Sequence, residues 1–339
     1  MTLPFAALAP LGWDEGWASA LAHGPRGAVP GRVLQHHGAG LLLALPDGPE
    51  TVMFTQRLDP APTVGDWVAV VDGEAVEVLA RRSLLRRRAA HGEGEQALAA
   101  NVDTVLLVCG LDRPVKDGRI QRGTAIAHDA GAQPVVVLTK HDLVDDAGSA
   151  VSALQEVAPD VEVLVASGIS GEGVDALRAF AAGNRTIALL GASGVGKSTL
   201  VNALVGHGRQ AVADVREGDQ RGRHTTTAAE LVRLPGDGWL IDTPGVRAVS
   251  LWSSGHGIER AFADVFGLMD LCRFRDCKHE LEPDCAVNAA VADGRLDVRR
   301  LQSMQRLVAE EAALEEEQRA QEKALDRRGS RRPRPRGGQ

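Results

Sequence analysis

Residues 191–198 read GASGVGKS, which fits G-x-x-x-x-G-K-S from Gly191 to Ser198. The apolar run Arg185 to Leu190 precedes it, and TLVNALVG follows with Leu200, Ala203 and Leu204 at helical spacing. The glycines therefore fall between a strand and a helix, where backbone N–H groups can cradle phosphate oxygens at a helix N-terminus. Gly191, Ala192, Ser193, Gly194, Val195, Gly196, Lys197, Ser198 and Thr199 are the candidate phosphate-binding residues. Lys197 reaches the β- and γ-phosphates, and the Ser198 hydroxyl faces Mg²⁺. The second cluster that can do chemistry is Cys272-x4-Cys277-x-His279-x5-Cys285. Three thiolates and an imidazole at this spacing match a closed, tetrahedral, structural Zn²⁺ site; a disulfide with a spare thiol is the alternative. Cys109 stands apart, on an apolar run, as a buried small hydrophobe.

The base that goes with the cradle is read from other strand ends. PVVVLTKHDL ends a strand at Thr139-Lys140-His141-Asp142. The Asp142 carboxylate can accept hydrogen bonds from guanine N1–H and N2–H₂, a donor pair that adenine lacks. Lys140 can lay its alkyl stem over the base. VEVLVASGIS ends a further strand at Ser167-Gly168, whose backbone N–H can reach guanine O6. WLIDTPG closes a strand at Asp242, a water-mediated Mg²⁺ ligand, and Gly245 offers a backbone N–H to the γ-phosphate. Thr225, Thr226 and Thr227 of GRHTTT are equivalent candidates to close over Mg²⁺. The base-reading elements precede the cradle, so the order is that of a circularly permuted GTPase domain. Permutation keeps the packed sheet when the original termini lie close together.

Around this domain the chain of 339 residues divides further. Residues 30–90 carry five short alternating runs broken by Pro-Asp-Gly and Asp-Gly turns, the pattern of an OB-type β-barrel. RRSLLRRR (81–88) is a positive patch, read either as a solvated linker or as a phosphate-backbone contact. Residues 5–22 read as a short helix leading into the barrel. From Leu296 to Asp326 an acidic helix carries Leu301, Met304, Leu307 and Val308 at 3,4 spacing, which pack on the body. The tail from Arg327 has six arginines and no acid, with the Gly and Pro content of a disordered arm. The divisions are 1–29, an N-terminal extension; 30–90, the barrel; 91–255, the permuted GTPase domain; 256–326, a zinc-binding helical domain; and 327–339, the tail. A net charge of −7 excludes a generic polyanion binder. No run of eighteen apolar residues and no basic-apolar leader is present, so a reducing, cytoplasmic setting is expected.

Taken in order, TKHD, SGIS, GASGVGKSTL, GRHTTT, DTPG and CRFRDCKHELEPDC resemble the ribosome small-subunit-dependent GTPase A family over residues 30–310. The resemblance implies a multidomain fold: an N-terminal OB-type β-barrel, a central α/β circularly permuted P-loop GTPase and a C-terminal, mainly helical zinc-binding domain. It implies GTP hydrolysis stimulated by the small ribosomal subunit during its late maturation, and contact with ribosomal RNA. Implied ligands are GTP or GDP with Mg²⁺ and one structural Zn²⁺ per chain. The expected protein is a monomer with no membrane partner. The alternative is an RNA-binding P-loop nucleotide switch acting on a non-ribosomal RNA. Thr139 departs from the asparagine commoner in GTPases, whose amide braces the cradle. Val246, after DTPG, departs from the glutamine that orients the attacking water. His224 in GRHTTT is the candidate replacement, since neutral imidazole can orient water near its working range. In a competition assay, excess GTP should displace a bound fluorescent guanine nucleotide while excess ATP should not; equal displacement by ATP would remove guanine selection from Asp142.

Overall fold

The computed structural model describes residues 4–38, 40–54, 58–88, 95–144, 146–206, 229–242, 255–280 and 282–329. His224, Thr225, Thr226, Thr227, Gly245 and Val246 lie outside the described residues, as does the tail from 330.

Five short strands, β1 (Val29–His37), β2 (Gly40–Leu45), β3 (Gly48–Met53), β4 (Trp67–Val71) and β5 (Glu74–Val78), form the expected barrel. They pair in the order β1-β2-β3-β5-β4, and β4 returns to β1, which closes the sheet on itself. Alternation along these strands puts Val33, Leu41, Leu43, Val52, Val68 and Val78 inside. The chain ahead of the barrel is a 3₁₀ turn (Ala6–Leu11) and α1 (Glu15–Ala22), which Asp14 caps by accepting from Trp17 N–H. Trp13 and Trp17 of this segment pack on Trp67 of β4, with ring centroids 4.9 and 6.1 Å away.

Next comes a hairpin that sequence patterning did not anticipate. β6 (Leu84–Arg88) pairs with β7 (Glu95–Ala100), and the boundary drawn between residues 90 and 91 falls inside it. Arg81, Arg82, Arg86 and Arg87 of RRSLLRRR are thus strand and connector residues with partners. Arg81 makes a two-pronged pair with buried Asp66, and Arg82 pairs with Asp14 at 2.6 Å while lying over Trp17. Arg86 meets Glu95 and Asp129, and Arg87 donates to Gln96. The side chains of these four are held by structural contacts, so the segment is part of the fold and not an open linker.

The central sheet has the order β10-β9-β8-β11-β13-β12: β8 (Thr104–Gly110), β9 (Gln133–Thr139), β10 (Glu162–Val165), β11 (Thr186–Gly191), β12 (Glu230–Arg233) and β13 (Trp239–Asp242). All neighbours are parallel except β12 and β13. The strands bury both faces, and so read as continuous Val/Leu/Ile runs. Helices α2 (Asp117–Asp129), α3 (Gly148–Val157), α4 (Val174–Ala179) and α5 (Lys197–Val205) make the crossovers. Among the described residues one strand bridge, Gln35 to Glu230, joins the barrel to this sheet.

Helices α6 (Gly255–Ala261), α7 (Ala263–Met269), α8 (Ala286–Ala292) and α9 (Val298–Gly329) surround an apolar core of Ile258, Phe262, Val265, Val287, Ala290 and Met304. In α9 the buried stripe runs through Arg300, Met304 and Leu307, with Leu301 beside it. Val308 falls on the rim and is 42 % exposed, contrary to the 3,4 expectation. The helix also continues through Arg327 and Arg328 to Gly329, beyond the expected start of the disordered arm. Buried Arg300 donates to both oxygens of Asp264, to Val157 O and to Ala261 O, so it ties α9 to α7 and to the end of α3. Helix α6 crosses α2 at Gly257, where a Cβ would collide with the carbonyl oxygen of Ala125. Gly257→Ala therefore gains helix propensity but forces the crossing apart. It is expected to destabilise the protein by about 1–3 kcal/mol in chemical denaturation, the usual cost of overpacking; an unchanged midpoint would contradict the close crossing.

Candidate functional site

Four strands end at one edge of the parallel sheet, and each expected nucleotide-site residue among the described ones lies there. Strand β11 delivers Gly191 to the loop 192–196, and α5 starts at Lys197. Gly194 and Gly196 have φ of 78° and 95°, left-handed values that glycine adopts at little cost and that let the loop fold over its own amides. Lys197 Nζ donates to Gly191 O and Ala192 O, both at 2.7 Å, so its ammonium sits at the mouth of the loop. Ala192 is half-buried and Val195 buried, while Ser193, Gly194, Ser198 and Thr199 are exposed toward the edge.

Strand β9 supplies the next group. Thr139 is 2 % exposed, and its hydroxyl lies against Val195 O and, at 3.2 Å, Cys109 O. A hydroxyl has one proton to give, and the shorter contact is with the loop carbonyl. The residue that departs from asparagine thus still braces the cradle. Lys140 has φ of 61°; its Nζ donates to Gly194 O at 2.6 Å and pairs with Asp112 at 2.9 Å. Lys140 first, then Arg113, holds the Asp112 carboxyl below its ordinary range. Asp112 was not singled out from the sequence; it sits just past β8, and only the fold brings that end beside Lys140.

Asp142 follows in a 3₁₀ turn, His141–Leu143, and its Oδ1 accepts from Ser167 Oγ at 2.9 Å. Ser167 Oγ in turn accepts from the N–H groups of Ile169 and Ser170. His141 Nε2 lies 3.1 Å from Glu172, which pins the same turn to the loop after β10. Ser167 N–H is committed to Glu172 O, so it does not serve as the expected donor to a base. Gly168 packs against α5, where a Cβ would stand 2.8 Å from the Thr199 carbonyl. Asp242 ends β13, paired in register with Glu230 of β12.

A second group lies between α7 and α8. Cys272, Cys277, His279 and Cys285 bring four ligand atoms within 4.8 Å of one another. Cys272 Sγ is 3.6 Å from His279 Nδ1 and 3.9 Å from Cys285 Sγ, and the last two atoms are 3.4 Å apart. A tetrahedron with metal–sulfur bonds of about 2.3 Å has edges of about 3.8 Å, so these separations fit a metal ion. All three cysteines are free thiols, which removes the disulfide alternative. Cys285 also caps α8 by accepting from Asn288 N–H. His279 has φ of 60°, in the left-handed region that histidine enters more often than most residues.

A model of the family described as RsgA GTPase matches residues 78–252. Small ribosomal subunit biogenesis GTPase RsgA 2 of Vibrio parahaemolyticus is 45 % identical over 295 residues, covering 86 % of this chain and 82 % of that protein. Small ribosomal subunit biogenesis GTPase RsgA of Streptomyces coelicolor is 44 % identical over 322 residues, covering 90 % and 87 %. The crystal structure of YjeQ from Thermotoga maritima superposes with a TM-score of 0.63 at 25 % identity, covering 84 % of this chain and 99 % of that one. YloQ, described as a circularly permuted GTPase, has a TM-score of 0.61 at 21 % identity and supports the fold.

Cys277→Ser is expected to lower bound metal from one equivalent per chain to well below one by elemental analysis. The helical signal of α7 and α8 should melt earlier, because the metal closes this loop-rich segment. Full metal retention would remove Cys277 from the ligand set.

Proposed function

We propose how this protein works from the premise that the chain belongs to the RsgA GTPase family and is a GTP hydrolase. It is a circularly permuted GTPase of the kind that acts in small ribosomal subunit biogenesis, and its ligands are GTP and GDP. The reading is supported above all by the tie between Thr139, Lys140 and the phosphate loop, which holds the candidate base-reading and phosphate-binding residues together at one edge.

In this reading Asp142, oriented by Ser167, accepts from guanine N1–H and N2–H₂. Lys140 lays its stem along the base, with its ammonium anchored on Gly194 O and Asp112. Gly168 N–H takes the O6 contact, since the other N–H groups of that turn donate to Ser167 Oγ and Glu172 O. The amides of residues 192–198 receive the phosphates, and Lys197 exchanges its two carbonyl partners for β- and γ-phosphate oxygens. Ser198, Asp242 and one of Thr225, Thr226 and Thr227 would hold Mg²⁺, which neutralises charge that develops on the phosphates. Gly245 would offer its N–H to the γ-phosphate. Cys272, Cys277, His279 and Cys285 would hold one structural Zn²⁺, as three thiolates and one imidazole select.

β13 ends at Asp242 and α6, which packs on α2, begins at Gly255, so residues 243–254 are the covalent link between them. Ordering of this segment by the γ-phosphate can therefore move the helical portion directly. The partner is the small ribosomal subunit and its RNA, met by a monomer in the cytoplasm, and none of the described helices is long and apolar enough to cross a membrane. Val246 cannot orient water, so hydrolysis by the isolated protein is slow; His224 supplies the missing group once the subunit orders its loop.

Turnover of GTP should rise strongly when purified small subunits are added, while ATP turnover should not. His224→Ala should lose most of that stimulation, on the order of 10²-fold or more, as for removal of a positioned base. Unchanged stimulation of the variant would assign His224 another role; no stimulation of the native chain would remove the subunit as activator.

A further inference from the structure

A cavity of about 610 Å³ opens where the phosphate loop, the first turns of α2 and the first half of α9 meet. Ala192 and Ser193 form its wall on the loop side. From α2 it receives Lys116, Arg119 and Arg122, which recur every three residues along one face. From α9 it receives Arg306, Leu307 and Glu310, again from one helical face. Four cations thus meet one carboxylate, and that carboxylate is already paired with Arg122. Lys116, Arg119 and Arg306 are exposed, so their charged ends are accessible from the open cavity. None of these three side chains makes an ion pair or hydrogen bond among the described residues.

The chain as a whole is acidic, with a net charge of −7, so this local excess of unpaired cations runs against its composition. A merely solvated basic face needs no hollow. Here the cations rim one, and Leu307, Ala192 and the methylene stems of the arginines give it apolar surface. Phosphate oxygens match the cations, and a planar base matches the apolar wall and the guanidinium planes. Only unpaired RNA presents both at once, because the bases of a duplex are stacked inside it. Cavities of about 300–1,000 Å³ take ligands of this size class. An acidic peptide would satisfy the cations but leave the apolar wall without a planar partner.

We propose that the cleft between α2 and α9 seats an unpaired nucleotide of single-stranded RNA, with its flanking phosphates on Lys116, Arg119 and Arg306. This rests on the reading that the protein acts with the small ribosomal subunit, and it names the place where RNA from that subunit meets the GTPase domain. Ala192 and Ser193 belong to the loop that receives the GTP phosphates, so an RNA nucleotide in this cleft lies against the GTP site. The subunit thereby gains a route to that site through one shared wall.

The test uses the intact chain loaded with Mg²⁺ and a non-hydrolysable GTP analogue. The probe is a short mixed-sequence RNA strand, labelled for fluorescence anisotropy and carrying one 4-thiouridine. Affinity is read against salt concentration for the native chain and for the double variant Arg119→Ala/Arg306→Ala, whose folding is checked by unchanged affinity for fluorescent GDP. Each phosphate contact on a single strand contributes about 0.7 to the slope of log K against log salt, so the variant's slope should be shallower by about 1.4. Photo-cross-links of the native complex should map to residues 116–122 of α2 or 303–310 of α9. The same strand paired with its complement should bind about tenfold more weakly or worse, because paired bases do not enter the cavity. With purified small subunits, the variant should need about tenfold more subunit, or still more, for half-maximal GTP turnover. If the native chain is not stimulated at all, the proposed function fails while the RNA titration still decides this site. If the variant loses GDP binding, the cross-link map of the native chain decides. An unchanged salt slope, cross-links confined to the barrel or the cysteine-rich loops, equal binding of the duplex, or displacement of the RNA by polyglutamate at equal charge overturns the proposal.

Discussion

Two short polar contacts hold the nucleotide site together: the Thr139 hydroxyl on Val195 O and the Lys140 ammonium on Gly194 O. Both join the end of β9 to the phosphate loop after β11, two strands that are not neighbours in the sheet. Base recognition and phosphate binding must share one frame, because a nucleotide spans both. Parallel strands supply that frame by ending together at one edge, and these side chains fasten the loops that leave it. Thr139 shows that bracing depends on a donor in reach of the loop carbonyl and not on an amide as such.

Permutation leaves this frame unchanged and alters what the chain does next. In the observed order β13 leads through residues 243–254 into α6. The glycine crossing of α6 on α2, and Arg300 linking α9, α7 and the end of α3, fix the helical portion to the GTPase sheet. Movement near the γ-phosphate thus has a short covalent route and a packed mechanical route to the same helices. The barrel is attached by the bridge from Gln35 to Glu230, beside Asp242, and at the opposite end of the sheet through Arg32 on Thr186.

The arginine segment illustrates a general point about charge. Arg81, Arg82, Arg86 and Arg87 form a positive cluster when counted along the chain. In space each meets an acid or amide from another element: Arg81, Arg82 and Arg86 are ion-paired, and Arg87 is hydrogen-bonded to the uncharged Gln96. Arg32, by contrast, is an ordinary residue in the strand GRVLQHH, and folding buries it with its Nε unpartnered among the described residues.

The phosphate loop, the metal-ligand cluster and the five barrel strands were legible in the sequence because their determinants are local. Glycine at left-handed positions, ligand spacing within fourteen residues and alternation with period two all act over a few neighbours. The permuted order was legible for a related reason: each base-reading or phosphate-binding motif marks its own strand end. Hairpin β6–β7, the pairing of Asp112 with Lys140, the loss of Ser167 N–H to Glu172 and the exposure of Val308 were not legible. Nor was the contact between Arg32 and Thr186, which are 154 residues apart. Those features are set by which groups the packed sheet brings within about 3 Å, and a hydrogen bond between distant residues leaves no pattern in the chain that makes it.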